Sequence, residues 1–207
     1  MAEVKTNDLK SFNYLESGEI LFSIFDTVKT VKSLDPGLYN ISYLGHPEYR
    51  VTLQNSTNYE SAKIYNFAEK NKIDESIKAF TTLKVRQKLK ELSFAHKLGV
   101  LLYGKEGGGK TSIVNYYCNQ LITSNDAIVF RINCEPCYLS KVTDFILKVR
   151  GIQDNLFVVV MDEMEELAKE NEGQVKTFMD GAESLDNTIF FGMTNYIDKI
   201  PSSIKNR

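Results

Sequence analysis

Leu101-Leu-Tyr-Gly-Lys-Glu-Gly-Gly-Gly-Lys-Thr-Ser112 is the stretch on which the reading of this chain turns. Gly104 and Gly109 enclose four residues and are followed by Lys110 and Thr111, the spacing of a phosphate-binding loop. Glycines let successive backbone N–H groups turn inward around a phosphate, with no Cβ in the way. Lys105, Glu106, Gly107 and Gly108 form the body of the loop, and Ser112 closes it on the helical side. Lys110 is placed to reach the β- and γ-oxygens, and Thr111 to ligate Mg²⁺. The flanks agree with this. Gly99-Val-Leu-Leu-Tyr103 is an apolar run of strand length, and residues 111–122 carry Ile113, Tyr116, Tyr117 and Leu121 on one helical stripe. A helix N-terminus therefore faces the phosphates.

Three further apolar runs follow: Ala127-Ile-Val-Phe-Arg-Ile-Asn133, Phe157-Val-Val-Val-Met161 and Thr188-Ile-Phe-Phe-Gly-Met193. A helical pattern at Val142, Phe145, Ile146 and Val149 separates the first two, and residues 173–183 read as a helix before the last. Continuously apolar strands alternating with helices predict an α/β fold, a three-layer parallel sheet of the P-loop NTPase kind. The second run ends in Asp162-Glu163, and the third delivers Thr194 and Asn195 to its C-terminal end, where ligands sit in open α/β sheets. Asp162 is placed to hold Mg²⁺ together with Thr111, and Glu163 to polarise the water that attacks a γ-phosphate. The helix that follows, Met164-Glu-Glu-Leu-Ala-Lys-Glu170, reads as mostly charged surface.

Upstream, the pattern predicts a small α+β domain over residues 1–75 ahead of a nucleotide-binding core over 76–207. From Ser17, Ile20, Leu21, Ile24, Phe25, Val28 and Val31 recur at helical spacing, and Asp35-Pro-Gly37 stops them. Leu38-Tyr-Asn-Ile-Ser-Tyr-Leu44 and Tyr49-Arg-Val-Thr-Leu53 read as two strands of a hairpin around Gly45-His-Pro-Glu48, with a helix near residues 59–69. The boundary is expected between Asn71 and Lys78, where charges interrupt the apolar pattern. Lys84, Arg86, Lys88, Lys90 and Lys97 then make a locally basic helix, with Val85, Leu89 and Leu92 as its core face. His46, in the hairpin turn, is a surface residue on this reading.

With 207 residues, 43 % of them hydrophobic and 25 % charged, the chain has the composition of a globular protein with room for a sizeable core. A formal charge of −2 leaves no overall basic footprint for nucleic acid. No apolar run approaches the roughly 20 residues that span a bilayer, and Met1 is followed by Ala-Glu-Val-Lys rather than an apolar core, so a cytoplasmic protein with no membrane partner is expected. Cys118, Cys134 and Cys137 are an odd number in a chain that needs no disulfide staples. Cys134-Glu-Pro-Cys137 supplies only two of the four ligands of a tetrahedral zinc site, and a structural role is expected for it.

Taken together, Gly104 to Thr111, Val158-Val-Val-Met-Asp-Glu163, Phe178-Met-Asp-Gly181 and Ile189-Phe-Phe-Gly-Met-Thr-Asn195 resemble the AAA+ ATPases, in the same order and at compatible intervals, over about residues 78–207. The resemblance implies ATP as ligand, Mg²⁺ as cofactor and hydrolysis in an oligomeric ring. It gives Asn195 the sensor-1 position, which orients the attacking water, and Arg207 the part of an arginine finger reaching a neighbouring subunit. Adenine rather than guanine rests on the resemblance, since no Asn-Lys-x-Asp motif occurs. A complete module of the family continues into a fifth strand and a helical lid with a further arginine, which this chain stops short of. The interval from Asn133 to Phe157 is short for the family's aromatic pore loop, and Tyr138 is its nearest aromatic. The small N-terminal domain would select a protein substrate or adaptor. A remodeller of protein substrates, a nucleic-acid-associated loader and an ATP-gated assembly switch all stay open, the first favoured by the Met-Asp-Gly segment.

Overall fold

Strands buried on both faces must be apolar at nearly every position, and the runs read as strands above meet that demand in the folded chain. The computed structural model describes residues 11–14, 20–23, 32–44, 50–55, 69–132, 138–180 and 185–205. In chain order the elements are β1 (Ser11–Tyr14), β2 (Ile20–Ser23), β3 (Gly37–Leu44), β4 (Arg50–Asn55), α1 (Lys70–Phe80), α2 (Leu83–Glu91), β5 (Lys97–Tyr103), α3 (Lys110–Asn125), β6 (Ile128–Ile132), α4 (Leu139–Ile152), β7 (Phe157–Met161), α5 (Met164–Asp180), β8 (Thr188–Thr194) and α6 (Ser202–Lys205).

Six strands form one sheet in the order β4-β3-β6-β7-β8-β5, parallel throughout except for β4, which runs antiparallel to β3. Side chains alternate between the two faces. Leu38, Val129, Val158 and Ile189 stand in register and cluster with Ile77 and Phe80 of α1 and with Val114, Tyr117, Cys118 and Leu121 of α3. Their neighbours Tyr39, Phe130, Val159 and Phe190 occupy the other face. There Phe130 meets Phe145 of α4 edge-on, and Phe190 meets Phe178 of α5 in the same way. Helices cover both faces, giving the three expected layers. Burial pushes the Cys118 thiol up to about 12, so it stays a protonated, unreactive core residue.

Three expectations change. The chain divides into compact units at Met1–Leu34 and Asp35–Arg207, not near residue 75. The β3–β4 hairpin forms as expected, yet it belongs to the main sheet, because β3 pairs with β6 from Gly37↔Ile128 to Ile41↔Ile132. The charges taken for a boundary are the wet side of α1, whose Ile77 and Phe80 are buried. Ile20–Ser23 is a strand paired antiparallel with β1 rather than the start of a helix; a four-residue apolar run cannot separate the two periods. The remainder of that expected helix, residues 24–31, lies outside the described residues. So do the expected helix up to residue 68, the hairpin turn with His46, Cys134 and Cys137.

The third change concerns α2. None of its residues is buried, and Val85 and Leu92 are 39 % and 56 % exposed. Ion pairs rather than an apolar face dock it: Arg86 Nη2 meets Asp154 at 2.7 Å and Asp186 at 3.5 Å. Asp186 also accepts a hydrogen bond from the His96 backbone N–H at 2.7 Å. His96 is buried and stacked on Phe80 with ring centroids 3.8 Å apart. Burial holds its imidazole below the ordinary value near 6.5, against the opposing pull of Asp186.

Two measurements follow. A chain starting at residue 35 should keep cooperative unfolding of the sheet. One starting at residue 69 loses the buried Leu38, Tyr39 and Ile41 and should be destabilised by more than about 4 kcal/mol, at about 1.5–3 kcal/mol per side chain. Separately, His96 takes up its proton in the unfolded chain before it does in the folded one. Stability by urea titration should therefore fall as pH drops below about 6.5, and His96→Phe should flatten that limb.

Candidate nucleotide-binding site

The site is built where strands end. β8 lies between β5 and β7, with Tyr103 opposite Thr194 and Met161 opposite Gly192. The loop after β5, Asn195 after β8 and Asp162-Glu163 after β7 therefore leave the same edge of the sheet in adjacent positions.

The loop needs its glycines. Gly107 and Gly109 have φ of +72° and +79°, and Gly104 has φ of +152°. Gly109 caps α3 in this left-handed conformation, and its carbonyl accepts the Ile113 N–H at 3.0 Å. The helix thus starts at Lys110 with its first N–H groups directed at the loop. Lys110 Nζ donates to the carbonyls of Gly104 (2.9 Å) and Lys105 (3.0 Å) and to Asn195 Oδ1 (2.6 Å). Residues 105–109 and the side chains of Thr111 and Ser112 are exposed, leaving an open surface for an anion.

Asp162 and Glu163 are both exposed. Asp162 Oδ1 accepts the Glu163 N–H at 3.0 Å, and Glu163 has a left-handed backbone with φ of +48°. Such a conformation is uncommon for a side chain of this size and is found where a chain reverses under constraint. Here it turns the chain from β7 into α5, whose first bonds run from Glu166 N and Leu167 N to Glu163 O.

One residue read as surface is not. Glu165 is 4 % exposed, and its Oε1 accepts the Asn195 N–H at 3.4 Å. Met164, Leu167 and Ala168 are buried beside it. Nothing in the local sequence distinguishes Glu165 from Glu166, which is exposed; the nearest signal is its place two residues beyond Glu163. Of the other expected positions, Tyr138 is half-buried and stands at the N-cap position of α4. Arg207 and Gly181 lie outside the described residues.

This arrangement has relatives. Residues 100–207, more than half of the chain, match the ATPase family associated with various cellular activities (AAA). The chain belongs to the AAA ATPases. It is similar to the vesicular-fusion protein SEC18 of Candida albicans, 28 % identical over 138 residues, which are 55 % of this chain and 17 % of that protein. It is also similar to the vesicle-fusing ATPase of Dictyostelium discoideum, 26 % identical over 139 residues, which are 56 % of this chain and 19 % of that one. The chain spans under a fifth of the length of these curated relatives. A solved structure of C. elegans PCH-2 shares the fold with a TM-score of 0.54 at 19 % identity, covering 69 % of this chain and 42 % of PCH-2. In this AAA chain the β3–β4 pair lies on the β6 side of the sheet, and β5, which leads into the glycine loop, is the opposite edge among the described residues.

Replacing Gly109 tests the loop geometry. Gly109→Ala places a Cβ at a φ of +79°, a strain of about 1–2 kcal/mol, and should weaken triphosphate binding in a calorimetric titration while leaving the sheet folded.

Proposed function

We propose that the chain binds ATP through the loop 104–112 and hydrolyses it. The observation that carries this reading is the convergence of Lys110 on Asn195 and the loop carbonyls, with Asp162 and Glu163 leaving the same sheet edge. The loop N–H groups and the N-terminus of α3 hold the phosphates. A bound γ-phosphate draws the Lys110 ammonium off the two carbonyls, since an anion is a stronger partner for it than a neutral oxygen. Glu163 is the base that takes the proton of the attacking water, and Asn195 orients that water.

The oxygen donors Thr111 and Asp162 fit Mg²⁺, which is ordinarily bound by one or two side-chain oxygens together with substrate phosphates. Among the described residues no group of three or more His, Cys, Asp or Glu side chains makes a metal site by itself. When bound, the ion would neutralise charge developing on the β- and γ-oxygens.

The chain acts on this reading as one subunit of a ring, with Arg207 reaching a neighbour's γ-phosphate, and the work done is remodelling of a protein substrate. Two relatives are a vesicular-fusion protein and a vesicle-fusing ATPase, which favours this over a nucleic-acid role. The basic helix α2 also offers less to nucleic acid than its sequence suggests, because Arg86 is already paired with two carboxylates. No helix among the described residues is long and apolar enough to cross a membrane, and a cytoplasmic place is part of the proposal.

Turnover measured against protein concentration is the test. Specific activity should rise with concentration, fall about 100-fold or more in Glu163→Gln as for loss of a general base, and fall about 1,000-fold in Arg207→Ala as for loss of an arginine finger. Bound ATP without turnover at any concentration would point instead to an ATP-gated switch.

A further inference from the structure

Carboxylates are almost never fully buried unless they are paired, and Glu165 is 4 % exposed with no ion pair among the described residues. One oxygen, Oε1, accepts the Asn195 N–H at 3.4 Å; the other, Oε2, is buried and makes no hydrogen bond among the described residues. A buried polar atom without a partner is costly, and where a fold retains one the reason is to be sought in what the group does.

The surroundings of Glu165 hold it against β8 at two successive points. At the first, Gly192 of β8 faces Met164: a Cβ built on Gly192 would lie 2.1 Å from Met164 Sδ, so a side chain there would displace the Met164 thioether. At the second, the next residue of α5, Glu165, meets Asn195 as the chain leaves β8. Just beyond, Thr194 Oγ1 accepts the Tyr196 N–H at 3.0 Å, which fixes the other side of the same turn. The side chain of Asn195 then reaches Lys110, 85 residues away in sequence, at 2.6 Å. The left-handed backbone at Glu163 separates the acids of this segment, with Asp162 and Glu163 exposed at the sheet edge and Glu165 turned inward.

We infer that Glu165 is a positioning residue for hydrolysis, its Oε1 holding the Asn195 backbone so that the Asn195 amide faces Lys110 and the water activated by Glu163. Glu165 touches neither nucleotide nor water; it acts through Asn195. The inference rests on the proposed hydrolysis and deepens it. What Asn195 requires is an acceptor at the reach of a glutamate side chain, so reach matters and charge does not.

The experiment separates reach from charge. Glu165→Gln keeps an acceptor at the same distance without the charge, whereas Glu165→Asp keeps the charge and withdraws the acceptor by one methylene. At saturating ATP, kcat should fall about tenfold or more in Glu165→Asp and Glu165→Ala while the affinity for a fluorescent ATP analogue changes less than about threefold, the signature of a loss confined to the transition state. Glu165→Gln should retain most of the wild-type kcat. Asn195→Ala should lower kcat by itself, and Glu165→Asp added to it should cost little more, since residues acting as one unit are non-additive. The ¹⁵N–¹H resonance of Asn195 should move in Glu165→Asp and return in Glu165→Gln, with the rest of the spectrum dispersed as in the folded chain.

A kcat retained by Glu165→Asp and lost by Glu165→Gln would overturn the inference, as would equal fractional losses with and without Asn195, or an Asn195 amide indifferent to the aspartate. If turnover depends on Glu163 and none of these effects appears, the inference fails and the hydrolytic reading stands. If turnover is the same in wild type and Glu163→Gln, both fail together.

Discussion

Lys110 is held by three oxygens, two on the loop before it and one on Asn195, 85 residues further along the chain. That convergence depends on one feature of the sheet. β8 must lie between β5 and β7, and it must be in register so that Thr194 stands beside Tyr103. A shift of one residue would turn the buried Phe191 and Met193 to the opposite face, exchanging the sides that meet α3 and α5. Burial of both faces therefore fixes the register, and the register brings the amide to the ammonium. The site inherits its geometry from the core.

The same logic reaches Glu163. Its left-handed backbone is unfavourable in isolation, yet it follows a strand with every residue buried and precedes a helix whose Met164 is packed at Gly192. The turn between them has little freedom, so the strain is carried by contacts on either side of it. This places two exposed acids at the sheet edge and a third against the backbone of Asn195. At the opposite end of the strands, Asp154 and Asp186 do a different task with the same chemistry, gathering Arg86 and the His96 backbone and so docking α2 by charge where its apolar residues are not buried.

Much of this was legible beforehand because it is local. Loop glycines sit at fixed offsets from Lys110, and three of the four apolar runs end at the candidate site residues; both features are written in adjacent residues. Domain organisation was not legible in this way. Leu38-Tyr-Asn-Ile reads as half of a free hairpin, and only its parallel pairing with β6, about 90 residues on, makes it part of the main sheet. Charges at Lys72, Asp74, Glu75 and Lys78 look like a linker until Ile77 and Phe80 are seen to be buried on the other side of one helix.

The sequence by itself determined the α/β class and placed a glycine loop with Lys110 and Thr111, and the pair Asp162-Glu163, at strand ends, because each depends on spacing along a single strand, turn or helix. The tertiary structure alone decided that the hairpin joins the sheet, that α2 is held by ion pairs, and that Glu165 is buried beneath Asn195 while Glu166 faces solvent. Burial of one glutamate and exposure of the next is a property of what packs against the helix, and neighbours brought together across 30 residues of chain leave no mark in the local pattern.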